Sequence, residues 1–466
     1  MSIPTAPSAS GQRRSLVRKA RLTALRTALA GTVVARRLAG NPGARLVTPR
    51  GRADPYPIYH QVRRRGQVVP SLIGNLIAHH ELADRVLRDY QRFGSAPVPG
   101  ARPVGWTDLL MTKLAEYGDE NAARRGRREA PLAHRAGVPD PLGPESMLGM
   151  NPPDHTRLRR VVSRAFTPRA VEGVRGRVEE VAAELLDSAP ADGFDLMDGY
   201  ADVLPVVVIS ELLGVPTADG QQMKLWGDAV ASSLDVLNQA PRAQIMASLR
   251  ALNEYFLALF AERRRHPGDK VIDTLLAGTG QNGLSDRELM ATALLLLAAG
   301  FETTVNLVGS AVLALLEYPE QRRALINDPA LMPNAVEEIL RWDPPVQLTS
   351  RTVREDTTLG GRRLRRGAQL VVLLAGANRD PAVFDDPDRF DVTRSNARDH
   401  LSFVTGVHHC LGAPLARLEG EVALRLLITR YPDLELAGPA VRGRGLILRG
   451  PRSVPLRLGR PTRAAL

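Results

Sequence analysis

The chain has 466 residues, 44% of them hydrophobic and 24% charged, with a formal net charge of +12. That balance matches an ordinary soluble globular protein able to bury a large core, and the length suits one large single-core enzyme as well as two or three average domains. A lone cysteine excludes a disulfide framework and fits a reducing, cytoplasmic setting, and the most apolar uninterrupted stretch, Leu289 to Phe301, has only 13 residues, short of the roughly 20 that span a bilayer, so no transmembrane helix is expected.

Residues 1–53 carry eleven Lys or Arg and no acidic residue, so nearly all of the net charge belongs to this arm. The remainder is close to neutral and aromatics are only 4%, which argues against a nucleic-acid partner. From Ser15 to Leu38, the residues Leu16, Leu22, Leu25, Leu29, Val33 and Leu38 recur among arginines at roughly helical spacing, the pattern of a basic amphipathic helix. Such a helix docks on its own protein, touches an anionic membrane surface weakly, or serves as a transit-type segment. The folded body is expected to span residues 54–466 as one domain.

A helix over Pro55–Val68, a short strand pair around Val69–His79 and a helix over His80–Tyr90 open that body. Ser95–Glu145, rich in Gly, Pro and Arg, shows no sustained periodicity and reads as a long loop of functional or disordered kind. Helical patterns then fill about 155–265, with breaks at Pro168, Pro190, Pro216 and Pro241. Ser285-Asp286-Arg287-Glu288 has capping-box spacing, and the helix it opens should run to about Tyr318, before Pro319. About 33 residues at 1.5 Å each reach roughly 50 Å, enough to cross a whole domain. A helix over Asn334–Trp342, a β-rich region from about Leu348 to Leu374 turning at Gly360-Gly361, a meander to Leu401, a helix over Ala413–Arg430 and short strands within Leu446–Leu458 complete the chain. The fold class is mostly α with a minor β region.

The single cysteine, Cys410, lies between Gly406 and Gly412 and directly before the last long helix. A helix start lowers a thiol pKa, and flanking glycines suit a loop bent around something bulky and flat. Three other readings stand beside a working sulfur: an inert buried thiol, a zinc site from His400, His408, His409 and Cys410, and a cysteine-protease nucleophile. No Cys-x-x-Cys supports zinc.

The run Phe403-x-x-Gly406-x-His408-x-Cys410-x-Gly412 resembles the haem-binding loop of the cytochrome P450 family, with Val404 where the family often has glycine. In the long helix, Ala299 and Gly300 allow close approach to the backbone, and Glu302-Thr303 puts an acid beside a hydroxyl. Alone, that segment reads first as helix packing; in this context it resembles the family's (Ala/Gly)-Gly-x-(Asp/Glu)-Thr. Glu338-x-x-Arg341 is a common spacing, repeated at Glu172/Arg175, Glu262/Arg265 and Glu320/Arg323, but it lies between the long helix and the cysteine loop and precedes Pro387-Asp388-Arg389-Phe390, as in the family. The resemblance covers about residues 55–458 and is nearest to soluble actinobacterial, ferredoxin-dependent members.

That resemblance implies the P450 fold, a single triangular-prism-like domain with the long central helix passing over the haem. It implies haem b as cofactor, Cys410 as axial ligand of its iron, Glu302 and Thr303 as the acid and alcohol delivering protons, and Ala299 and Leu295 facing the haem and substrate. Gly412 would lie against the cofactor. His155, Arg159, Arg351 and His408 would bind the haem propionates, and Glu338, Arg341 and Arg389 would form a structural network on the proximal side. The implied reaction inserts one oxygen atom from O2 into a hydrophobic small molecule by hydroxylation or epoxidation. No Gly-x-Gly-x-x-Gly or flavin domain is visible, so electrons are expected from a separate ferredoxin and ferredoxin reductase, with Arg157, Arg160 and Arg164 as a candidate docking surface. A monomer is expected. Two rival functions are a peroxygenase and a non-catalytic haem sensor.

Overall fold

A computed structural model describes residues 31–96, 98, 139, 143–190, 193–216, 219–234, 242–280, 283–443 and 445–462. The folded body starts earlier than Asp54. Pro42–Leu46 and Pro49–Ala53 are two short helices, each with proline in its first turn behind a capping side chain: Asn41 Oδ1 accepts from Ala44 N and Thr48 Oγ1 from Gly51 N, both at 3.1 Å. Leu46 is fully buried in a cluster with Tyr59, Leu76 and Leu373, and Arg449 Nη1 donates to the carbonyls of Arg52 and Ala53 at 3.2 and 2.9 Å. The basic composition of this stretch hid apolar residues that are part of the core. Of the anticipated arm helix, residues 31–38 are helical, with Val34 and Leu38 exposed; the rest lies outside the described residues.

A helix over Tyr56–Arg65 leads into a five-stranded sheet ordered Val69–Ser71, Gly74–Ile77, Gln369–Val372, Thr349–Val353, Phe93–Gly94. All neighbours are antiparallel except Gly74–Ile77 with Gln369–Val372. The parallel pair stitches the N-terminal part of the chain to the part before the cysteine loop, and it places Arg351 on a strand near the site. A hairpin of Thr357–Leu359 and Arg362–Leu364 turns through Gly360 and Gly361, whose φ values of 53° and 74° favour glycine. The helix His80–Arg88 follows the first strand pair, and most of the loop expected over Ser95–Glu145 lies outside the described residues.

The helical part centres on Asp286–Glu317. Its start is the capping box anticipated above: Glu288 N donates to Ser285 Oγ at 3.3 Å and Ser285 N to Glu288 Oε2 at 2.8 Å. By length and composition this helix could cross a membrane, but 78% of its most apolar window is buried inside the body, which makes it a core helix. Helices Val203–Leu213, Gly220–Leu234, Arg242–Arg265, Met332–Trp342 and Ala413–Arg430 all pack on it. Two glycines permit the closest crossings. A Cβ on Gly300 would come within 2.8 Å of Ile209, and one on Gly227 within 2.2 Å of the Phe301 ring. Gly300 therefore serves helix packing.

Candidate functional site

The cysteine loop is shaped from both ends. Val404 N donates to Leu401 O and Cys410 N to Phe403 O at 2.8 and 2.9 Å, and a 3-10 turn covers Gly406–His408. Val404 sits at φ 49°, a left-handed conformation strained for a β-branched residue, which accounts for the family's glycine there. Gly406, at φ 74°, has the helix His80–Arg88 against it: a Cβ would lie 2.8 Å from Arg88 Cα. A Cβ on Gly412 would meet no protein atom within 4 Å. Cys410 is exposed at the start of Ala413–Arg430. The surrounding protein still withdraws its sulfur from bulk solvent and pushes the thiol pKa up, opposed by the Gly412 N–H, Arg159, Arg417 and the Ala413 N–H.

Along the central helix, Leu289–Ala298 and Thr304–Val312 are buried, whereas Ala299 is exposed and Gly300, Glu302 and Thr303 are half-buried. An exposed alanine in the middle of a core helix marks where the helix faces open space rather than protein. Thr303 Oγ1 donates to Ala299 O at 3.0 Å, holding the hydroxyl against the helix. Burial raises the Glu302 carboxyl; Asp228 and Asp202 add to this, while Arg452 and Lys224 oppose it. Lys224 Nζ is itself shared between Asp202 and Asp228 at 3.0 and 3.1 Å.

The four residues expected to bind propionates converge electrostatically. The His155 and His408 rings lie 4.3 Å apart, and Arg159 Nη1 donates to Val407 O at 3.4 Å. Burial depresses His408 to about 3, with Arg351, His155 and Arg159 adding to it, and depresses His155 to about 4 with Arg159 adding. Arg351 is buried on its strand, donates among the described residues to Ser350 O and Thr349 Oγ1, and is lowered to about 10 by desolvation. His155 Nδ1 is buried and, among the described residues, without a hydrogen-bond partner. Among the described residues, none of the four has a carboxylate partner. Two guanidinium groups without a carboxylate partner, flanked by two imidazoles held neutral, lie beside the exposed Cys410 and fit a flat dianionic ligand whose acid groups point at the guanidinium groups. The residues present fit haem.

Two sequence expectations are corrected. Glu338 pairs with Arg341 as anticipated, but the third member is Arg394, whose Nε lies 3.2 Å from Glu338. Arg389 contributes only its carbonyl, which accepts from Arg341 Nη2 and Arg394 Nη2 at 3.0 Å each, while its side chain is mostly exposed and 3.7 Å from Asp391. Phe390 is buried against Trp342 and Tyr318, and its neighbour Arg389 is turned outward. Arg157 is likewise no free surface cation. It is paired with Glu288 and donates to Gly283 O at 2.7 Å, tying its helix to the start of the central helix. Arg160 and Arg164 are exposed.

A sequence profile described as Cytochrome P450 matches residues 120–436. The chain belongs to the cytochrome P450 family. This P450 is 41% identical over 432 residues to the putative cytochrome P450 140 of Mycobacterium tuberculosis, 90% of this chain and 93% of that one. It is 43% identical over 314 residues to the 6-deoxyerythronolide B hydroxylase of Saccharopolyspora erythraea, 66% and 76% of the two chains. Its structure is similar to that of the bacillaene polyketide synthase cytochrome P450 PksS of Bacillus subtilis, with a TM-score of 0.74 and 31% identity over 89% of this chain and 99% of that one. The enzyme is thus a P450 monooxygenase of P450 fold, with haem b as its cofactor.

Several residues of this P450's site escaped sequence reasoning. Ser95 Oγ lies 3.1 Å from His408 Nε2, and the Asp202–Lys224–Asp228 group lies in the field of Glu302. Only tertiary contact brings these together. Glu419 is buried, and burial pushes its carboxyl up to about 8, with the Thr304 hydroxyl opposing. Arg394 could have been found: Asp391 Oδ1 accepts from Thr393 N and Oγ1 at 3.0 and 2.6 Å, a local Asx turn that swings the next residue inward.

Proposed function

We propose that Cys410 is the axial thiolate of this P450, that Glu302 and Thr303 handle its protons, and that it hydroxylates or epoxidises a medium to large hydrophobic substrate. The observation that carries this reading is the exposed Cys410 just before a helix start, beside the Arg159 and Arg351 guanidinium groups and the imidazoles of His155 and His408, none of which has a carboxylate partner among the described residues. Haem bound there supplies the activation of dioxygen and the redox chemistry of the insertion.

The chain's own residues do the rest. The Gly412 and Ala413 N–H groups, with Arg159 and Arg417, favour the anionic form of Cys410. Arg159 and Arg351 hold the acid edge of the cofactor by charge, and the neutral His155 and His408 by hydrogen bonding. Glu302, its carboxyl raised, keeps a proton closer to neutrality than an exposed glutamate does, and the adjacent Thr303 hydroxyl passes it inward. Ala299 and Leu295, one turn apart, present only small and apolar surface to a substrate. A relative named as a 6-deoxyerythronolide B hydroxylase and another as a polyketide synthase P450 support a substrate of polyketide, terpenoid or steroid kind.

Electrons come from a separate ferredoxin and its reductase. The enzyme works as a cytoplasmic monomer, and the basic segment 1–53 adds at most weak contact with an anionic membrane surface. The test is turnover of an apolar substrate with ferredoxin, reductase and NAD(P)H, following O2 uptake and product together. Wild type should couple the two, and Thr303→Ala should consume O2 with several-fold less product per O2. Product with hydrogen peroxide alone would instead indicate a peroxygenase, and no substrate-dependent O2 uptake in either protein a sensor.

A further inference from the structure

Behind the cysteine loop lies a second buried carboxylate to which none of the roles above applies. Glu337, 2% exposed, accepts from Arg417 Nε at 2.8 Å and Nη2 at 3.2 Å, and from His400 Nε2 at 3.1 Å, with Arg398 Nε at 3.4 Å. Burial raises its carboxyl, but the hydrogen bonds from His400 and Arg417 outweigh that and hold it at about 2. His400 Nδ1 accepts the Ser402 N–H at 3.2 Å, which assigns the ring proton to Nε2 and makes His400 a donor to Glu337.

Two of the partners of Glu337, Arg417 and His400, bear on one ring. The Arg417 guanidinium lies over Phe403, 4.6 Å from its centroid, and the His400 ring packs on Phe403 at 5.7 Å. Phe403 O in turn accepts the N–H of Cys410 at 2.9 Å. The chain of contacts runs without a gap from a fixed anion, through a stacked cation, to the backbone group bonded to the cysteine. Ser402 is anchored independently, donating to Leu340 O at 2.6 Å, so the loop is held at its base whether or not the brace is present.

We propose that Glu337, Arg417 and His400 are positioning residues that clamp Phe403, fix the orientation of the Cys410 backbone and sulfur, and thereby tune the reduction potential of the bound haem. The inference rests on the reading of Cys410 as axial ligand. Arg417 acts in two ways of the same sign. Its charge favours the state with the added electron, and it draws electron density from the nearby anionic ligand. Glu337 holds that cation in its forked, stacked pose, which a lysine cannot reproduce.

The experiment is a dye-mediated reductive titration of the haem-loaded full-length protein, with the spectrum of the reduced, CO-bound form recorded alongside. Arg417→Met, which keeps the stem and removes charge and fork, should move the potential to more negative values and increase the fraction with a less red-shifted Soret band. Arg417→Lys should recover part of the potential but not the band, and Glu337→Gln, which removes an anion and loosens the fork, should move the potential to more positive values while increasing the fraction with a less red-shifted band. Should Arg417→Met fail to retain haem, Glu337→Gln carries the same two readouts and decides. A potential and CO spectrum equal to wild type in Glu337→Gln or in a fully haem-loaded Arg417→Met would overturn the inference. A wild type without the strongly red-shifted band would overturn the assignment of Cys410 instead, so the two failures are distinguishable.

Discussion

Glu338 and Arg341 meet in a bidentate ion pair, Nε to Oε2 at 2.6 Å and Nη2 to Oε1 at 2.8 Å, with neither side chain exposed to solvent. The guanidinium is otherwise satisfied by the carbonyls of Asn378, Pro387 and Arg389 at 3.0, 2.7 and 3.0 Å. One charge thus pins the helix Met332–Trp342 to the meander before the cysteine loop. Removing one partner of such a pair costs about 3–5 kcal/mol, because the other charge is left buried. Arg341→Lys keeps the charge but not the fork, and is expected to yield protein with a strongly reduced haem-to-protein ratio and a lowered urea midpoint.

Arg394 and Arg389 separate the observed network from the one expected from sequence. Arg394→Ala leaves Glu338 without its second cation and is expected to lower unfolding stability by about 2–4 kcal/mol. Arg389→Ala removes only an exposed side chain and should stay within about 0.5 kcal/mol of wild type in the same urea titration.

The acid limb of the stability curve should carry the signature of Glu337. Its folded pKa is depressed, from 4.5 to about 2, so its contribution is complete above the unfolded value and is lost as pH falls through the folded one. The shift corresponds to roughly 3 kcal/mol. The gap in unfolding free energy between wild type and Glu337→Gln is expected to be constant above about pH 5 and to close toward pH 2. A gap independent of pH would show that Glu337 acts by shape alone.

Val404 stores strain at the front of the loop. A non-glycine residue in this region costs about 1–3 kcal/mol, against about 0.5–1 kcal/mol of extra chain entropy for glycine and some packing against the sheet-side core. Val404→Gly is expected to raise stability by about 1 kcal/mol or less in urea unfolding. A loss of more than that would mean that the packing of the isopropyl group outweighs the strain.

Much of this architecture is legible in the primary structure because it is written in local signals. Ser285 and Glu288 close a capping box and Pro319 follows the end of the central helix, so its limits could be read nearly to the residue. Gly360-Gly361 marks the hairpin, and the helix after Cys410 runs from Ala413 to Arg430 as its composition suggests. What was not legible depends on tertiary contact. Glu337 and Glu338 are chemically identical neighbours, and only the fold sends one to Arg341 and the other to Arg417 and His400. The burial of Leu46 within a basic segment, and the outward turn of Arg389 beside the inward Phe390, are likewise decided by what packs against them.

The central claim is that Cys410 supplies the thiolate of the haem site, and the carbon monoxide difference spectrum of the reduced protein tests it most directly. Wild type should show the strongly red-shifted Soret band of thiolate-ligated haem, and Cys410→Ser should lose it. The same band position in both proteins, or one at the wavelength of histidine-ligated haem in wild type, would contradict the account.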